Sequence, residues 1–211
     1  MTAVTVAVVA KECLPGRVKT RLIPALGPEG AARVAAASLA DTLATVRALP
    51  AARRILFFDG DVVPDAAEGF HVLPQPGGDL DARLGTLFDA VQGPLLLVGM
   101  DTPQVRPADV APVFENPERD AWFGPAEDGG FWSLYMHDPD GSLIRGVPMS
   151  RADTGAVQRA RLVDAGLDVD DLVPLLDVDE IADADRVAAL APGSAFAAAL
   201  TAERTTSGGV R

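Results

Sequence analysis

Lysine is almost missing from this chain: of 211 residues only Lys11 and Lys19 are lysines, against sixteen arginines. Cysteine occurs once, at Cys13, which excludes an internal disulfide and a cysteine-built zinc site. Aromatics make up 5% of the residues, so the core must come mainly from Ala, Val and Leu, and the 48% hydrophobic content is enough for one. Basic charge is short overall, with 18 Lys+Arg facing 30 Asp+Glu and a formal net charge of -12. A nucleic-acid backbone or an anionic membrane surface requires a basic face, so neither is expected as a partner. No apolar run approaches the ~18 residues of a membrane span. The opening MTAVTVAVVAKE lacks the positively charged start of a signal peptide. With no disulfide and no such leader, a cytoplasmic location is the expectation. The length suits one domain, expected over residues 1–204, with 205–211 (TTSGGVR) as a disordered tail.

Hydrophobic patterning alternates between short apolar runs and longer stretches of helical spacing. Val4–Ala10, Arg53–Asp59, Phe70–Leu73, Pro94–Gly99, Ala121–Gly124, Phe131–Met136 and Leu172–Val178 read as strands. Pro28–Leu49, Asp79–Val91, Pro107–Phe114, Thr154–Ala165, Asp183–Leu190 and Ala195–Ala202 read as helices. Strands interleaved with helices predict an α/β three-layer sandwich on a mainly parallel, Rossmann-like sheet. In such sheets ligands collect beyond the carboxyl ends of the strands.

Several segments sit where those ends are expected. Both lysines fall in AKECLPGRVKTRL, together with Arg17 and Arg21, so an acidic chain places a basic loop after its first strand. Such a loop can neutralise a polyphosphate through charge-assisted hydrogen bonds. It is neither a Walker A loop nor a dinucleotide fingerprint, since both glycine spacings are absent, and alone it reads equally as a solvated loop. Asp101, in GMDTP, ends a buried apolar strand, where a carboxylate needs a cation, a ligand or solvent. Alone it is more simply a turn aspartate. Asp177 and Asp179, in LLDVDEIADADRV, share a face if this segment is a strand, and otherwise belong to a solvated acidic loop. Asp128-Gly129-Gly130 permits a close backbone approach to a ligand or a tight hairpin turn. In QPGGDLDARL, Gln75, Gly78, Asp79 and Arg83 lie around a helix start, a favourable place for an anion or simply a connection capped by Asp79. His71 and His137 have no evident partner, and Ser150 lacks the context of a hydrolase nucleophile.

Taken in order, PGRVKTRL, GMDTP, GPAEDGGFWSL and LDVDEIADADRV resemble the successive signatures of the nucleotide-diphospho-sugar transferase superfamily, with its glycosyltransferase-A (GT-A) fold. Within it the sequence is most similar to small CofC-like transferases, over about Val4 to Leu190. The resemblance implies that Arg17, Lys19 and Arg21 contact phosphates and that Gln75, Gly78, Asp79 and Arg83 sit near the nucleotide; Lys11, in the same basic loop, is expected to face phosphate less directly than Lys19. It implies Asp128, Gly129 and Gly130 in the acceptor or sugar pocket. It also implies Asp101, with Asp177 or Asp179, as ligands of Mg²⁺ or Mn²⁺. The single aspartate of GMDTP departs from the D-x-D of many GT-A glycosyltransferases and resembles the nucleotidyltransferase branch. The expected activity is therefore metal-dependent nucleotidyl transfer. A small phosphate or carboxylate acceptor would attack a nucleoside triphosphate and release pyrophosphate, with Lys19, Arg17 and Asp101 as the catalytic set. The alternatives are a glycosyltransferase using a nucleotide sugar, with Asp128 as base, and a nucleotide-binding module without catalysis. No oligomeric state follows from the sequence.

Overall fold

The computed structural model describes residues 3–208. The strands are β1 (Thr5–Lys11), β2 (Arg53–Asp59), β3 (His71–Pro74), β4 (Leu95–Gly99), β5 (Ala121–Pro125), β6 (Phe131–Met136) and β7 (Val169–Asp171). They form one seven-stranded sheet in the order β3-β2-β1-β4-β6-β5-β7. β1 pairs in parallel with both β2 and β4, and only β6 runs against its neighbours. The helices are α1 (Ile23–Ala48), α2 (Leu80–Ala90), α3 (Pro107–Glu115), α4 (Thr154–Asp164), α5 (Ile181–Leu190) and α6 (Ala195–Gly208). This is the expected α/β sandwich.

The continuous apolar runs arise because the central strands are covered on both faces. Side chains alternate across a strand, so Val6, Val8, Leu56, Leu96 and Val98 pack with Leu39, Leu43 and Val46 of α1 and Val110 and Val113 of α3. Their neighbours Ala7, Ile55, Phe57, Leu95 and Leu97 pack on the other side with Leu84, Leu87 and Phe88 of α2 and Leu162 of α4. A third cluster joins Leu22, Leu26 and Val34 to Ala184 and Val187 of α5 and Phe196 and Leu200 of α6. Arg33 fastens α1 to α6 by two hydrogen bonds to Glu203, at 2.6 and 2.8 Å. Among the described residues no helix is long and apolar enough to cross a membrane.

The structure corrects four expectations. The last strand is 169–171 rather than Leu172–Val178. Pro174 has no N–H to give a ladder, and residues 172–178 instead run on as an extended segment beside the sheet, with one isolated bridge, Ala126–Leu175, and backbone bonds from Leu172 to Phe123 and from Leu175 to Pro125. The first long helix opens one turn earlier than Pro28, with a break at Gly27, whose φ of 70° suits glycine. Asp79 occupies the N-cap of α2 but makes no side-chain cap bond. Finally, α6 continues through 205–208, where a disordered tail was expected, while 209–211 lie outside the described residues.

Candidate active site

β1 and β4 are adjacent and parallel, so the loops leaving their carboxyl ends emerge side by side. The loop after β4 is fixed from several directions. Ser38 of α1 donates to the Met100 carbonyl at 2.7 Å, and Thr45 donates to the Val105 carbonyl at 3.0 Å. Gln104, buried, donates to the Leu176 carbonyl at 2.7 Å, and the Val178 amide donates to the Asp101 carbonyl at 3.0 Å. These bonds bring the segment after β7 onto the end of β4, and with it Asp177 and Asp179 beside Asp101. The carboxylates come together without the strand geometry that would have put Asp177 and Asp179 on one face.

They line a cavity of about 960 Å³ beyond the strand ends. Lys11, Lys19, Arg21, Gln75, Arg83, Asp101, Asp128, Gly130, Asp177 and Asp179 all contribute to its walls. Arg17, Gly78, Asp79 and Gly129 do not; the first three are exposed. Gly129, at φ 90°, acts from behind: a Cβ there would collide with the backbone of Ala152, so the hairpin turn can pack against the start of α4.

Lys19 is the basic residue most deeply engaged. Its backbone is left-handed (φ 45°, ψ 45°), a costly conformation for a residue with a Cβ. Its side chain is only 7% exposed. The ammonium donates to the Val178 carbonyl, pairs with Asp101 Oδ1 at 2.7 Å and lies 3.8 Å from Asp179 Oδ1. Arg21, mostly exposed, pairs with the other oxygen of Asp179 at 2.8 Å. Asp177 has a buried Oδ1 with no hydrogen-bond partner among the described residues. Burial, aided by the nearby charges of Asp101 and Asp128, pushes its carboxyl up to about 7, with Lys19 acting in the opposite direction. The Cys13 thiol is pushed up to about 11, first by burial and then by Asp101, which leaves it a poor nucleophile at neutral pH.

On the other side of the cavity, Gln75 binds the carbonyls of Ala10 and Phe57, both at 2.9 Å, and so closes the ends of β1 and β2. Its oxygen accepts from Arg83 at 2.9 Å, and Arg83 also reaches Asp59 at 3.1 Å. Opposite, Asp128 Oδ1 accepts from the Gly130 amide at 2.8 Å in the β5–β6 turn. The segment Met149–Ala152 completes this wall, with Ser150 at φ 58°. By sequence, Met149-Ser150-Arg151 bears on acceptor identity but supplies no named site residue, and Thr102 and Gln104 go unread. The GMDTPQ run does carry Thr102 and Gln104 beside Asp101 straight after a buried strand, but Gln104 meets its partner 72 residues away, a distance that local pattern does not span.

Among the described residues no group of three His, Cys, Asp or Glu side chains is preassembled to hold a metal. The donor set still fits a hard divalent cation. Mg²⁺ is usually held by one or two carboxylates, with water and substrate phosphate completing its shell. The unpartnered Asp177 oxygen beside Asp101 supplies that kind of incomplete, all-oxygen site.

Comparison with known proteins gives a consistent picture. A family described as an uncharacterized protein conserved in bacteria, DUF2064, matches residues 42–151, just over half of the chain. A phosphoenolpyruvate guanylyltransferase of Nocardia farcinica is 29% identical over 200 residues, covering 86% of this chain and 84% of that protein. The structure of a candidate nucleotide-diphospho-sugar transferase from Desulfovibrio desulfuricans G20 superposes with a TM-score of 0.84 at 22% identity, covering 99% of this chain and 98% of the other. Rv0371c of Mycobacterium tuberculosis H37Rv, solved in complex with manganese, superposes with a TM-score of 0.54 at 23% identity, over 89% of this chain and 98% of the other.

Proposed function

We propose a function in nucleotidyl transfer for this chain, which belongs to the DUF2064 family of proteins conserved in bacteria. A nucleoside triphosphate would bind with its base towards Gln75 and Arg83 and its phosphates towards Lys19 and Arg21. A small phosphate- or carboxylate-bearing acceptor would enter from the side of Asp128, Gly130 and Met149–Ala152. The observation that carries this reading is the meeting of Asp101, Asp177 and Lys19 at the carboxyl ends of β1 and β4, inside one large cavity. The guanylyltransferase relative makes GTP and an acid bearing both phosphate and carboxylate the first substrates to try.

In the reaction, an acceptor oxygen attacks the α-phosphorus as the bond to the β-phosphate oxygen breaks, and pyrophosphate leaves with the electron pair. Such chemistry needs in-line placement and charge neutralisation more than a strong base. Asp101 and Asp177, with Asp179 alongside, would hold Mg²⁺ or Mn²⁺, which supplies Lewis-acid neutralisation of phosphate charge. Lys19 and Arg21 place positive charge where the leaving pyrophosphate gathers its negative charge. Exposed Arg17 is set to join only if the triphosphate extends to the rim. Half-buried Gln75 keeps the floor beneath the base closed by binding two strand-end carbonyls.

The test is acceptor-dependent pyrophosphate release, measured with each of the four ribonucleoside triphosphates, Mg²⁺ or Mn²⁺, and a panel of phosphorylated and carboxylated acceptors. Release that requires acceptor and metal is expected. Nucleoside diphosphate released from a sugar nucleotide, with no pyrophosphate from any triphosphate, would overturn the reading in favour of glycosyl transfer.

A further inference from the structure

We infer that the Lys19 ammonium is the resident cation of the metal-free protein, standing among the oxygens that a divalent ion would take, so that the ion can bind only by displacing it. This inference rests on the proposed transfer reaction, because it concerns the same acidic site.

The argument is one of shared ligands. A lysine ammonium carries three donors and no acceptor, so its ligands must be oxygens; a hard divalent cation makes the same demand. Lys19 meets it with Asp101 Oδ1, the Val178 carbonyl and, further off, Asp179 Oδ1. Lys19, Asp101 and Asp179 line the same cavity as Asp177, whose Oδ1 is without a hydrogen-bond partner among the described residues. Two cations cannot share one such oxygen set without strong repulsion at short range. The ammonium is also shut in, with its side chain 7% exposed. A lysine reaching for solvent phosphate would be expected at the cavity mouth, as Arg21 is at 66% exposure.

The lysine stem is a flexible four-carbon chain. Once released from Asp101, its head remains within the cavity that it lines, where a triphosphate offers the anionic partner it has lost. Metal and nucleotide therefore help each other bind: the ion frees the lysine for phosphate, and phosphate keeps the lysine away from the ion. Linkage makes this coupling reciprocal. Lys19 thus has two positions, one closing the acidic site and one serving the substrate.

The test measures Mn²⁺ binding without nucleotide, by the electron paramagnetic resonance signal of free Mn²⁺, for the wild type, Lys19→Met and the double variant Lys19→Met/Asp101→Asn. Lys19→Met is expected to bind Mn²⁺ at least about fivefold more tightly than the wild type, the lower end of typical coupling between sites. The double variant is expected to lose that gain. Equal or weaker binding by Lys19→Met overturns the inference. Removing the lysine leaves Asp101 without its partner and could prevent folding. A second measurement therefore uses the wild type: acetylation of Lys19 by an amine-reactive reagent, read by mass spectrometry with Lys11 as internal reference. Labelling of Lys19 relative to Lys11 should rise on adding Mn²⁺ alone, and no rise under Mn²⁺ saturation overturns the inference. Wild-type pyrophosphate release together with unimproved Mn²⁺ binding by Lys19→Met sinks the displacement and leaves the transfer reading intact. Tighter binding without turnover of any triphosphate does the reverse.

Discussion

Asp177 is a carboxylate held in a place where its charge is unwelcome. In the metal-free chain its carboxyl lies at about 7, above the ordinary aspartate value of 3.8, because of burial and then the charges of Asp101 and Asp128. The folded state therefore holds this proton more tightly than the unfolded chain. The resulting stability is present at low pH and is lost as pH rises from about 4 to about 7, leaving a constant penalty above that. Asp177→Asn removes the penalty. With chelator present, the variant should be more stable than the wild type at pH 8, by on the order of a few kcal/mol, and so unfold at a higher temperature. The advantage should shrink towards pH 4, and thermal melts across that range read it directly. An advantage independent of pH would mean that something other than the charge is responsible. The same substitution should weaken the stabilising response to Mn²⁺. Little of this was legible in the sequence. Asp177 and Asp179 look alike in DVDE, and only the fold makes one a buried, unpartnered group and the other a partner of Arg21.

At the level of elements, patterns complete within a few residues were readable and those needing a distant partner were not. β2 and β6 fall on the residues where β-branched and aromatic runs placed them. The reading of 172–178 as a strand failed because an apolar run with one proline can lie extended on a sheet without joining its ladder. That segment is held by a few irregular backbone bonds to β5 and its turn, by Gln104 donating to the Leu176 carbonyl, and by the bond from the Val178 amide to the Asp101 carbonyl. Gln104→Ala should cost about 1–3 kcal/mol, the range for leaving a buried hydrogen-bond partner unsatisfied. Denaturant unfolding gives the total. Amide hydrogen exchange gives the location, with the Val178 amide expected to exchange faster while amides within β1 keep their protection. Uniform acceleration across both would show that the glutamine supports the whole domain rather than this one connection.

Across the whole molecule, the site depends on packing that lies outside it. The cluster of Leu22, Leu26, Val178, Val187, Phe196 and Leu200 backs both the turn that carries Lys19 and the segment that carries Asp177. Ending the chain at Ser194 removes Phe196, Leu200 and the Glu203 partner of Arg33. Loss of one large buried side chain typically costs 2–5 kcal/mol, so this truncation should lower the melting temperature sharply. It should also diminish nucleotide- and Mn²⁺-induced stabilisation, measured by thermal shift. A shortened protein with full ligand response would show that α6 only stabilises. The overall acidity carries less information than its distribution: one short basic loop was visible in the sequence, whereas the carboxylates it meets were scattered over two distant segments. The ion pair and hydrogen bonds of Lys19 join residues 159 positions apart for the Val178 contact. Chains emerge from the ribosome N-terminus first, so a growing chain exposes its basic loop long before the acidic segment exists. The proposed site, which needs both segments, is therefore complete only once almost all of the chain has been made.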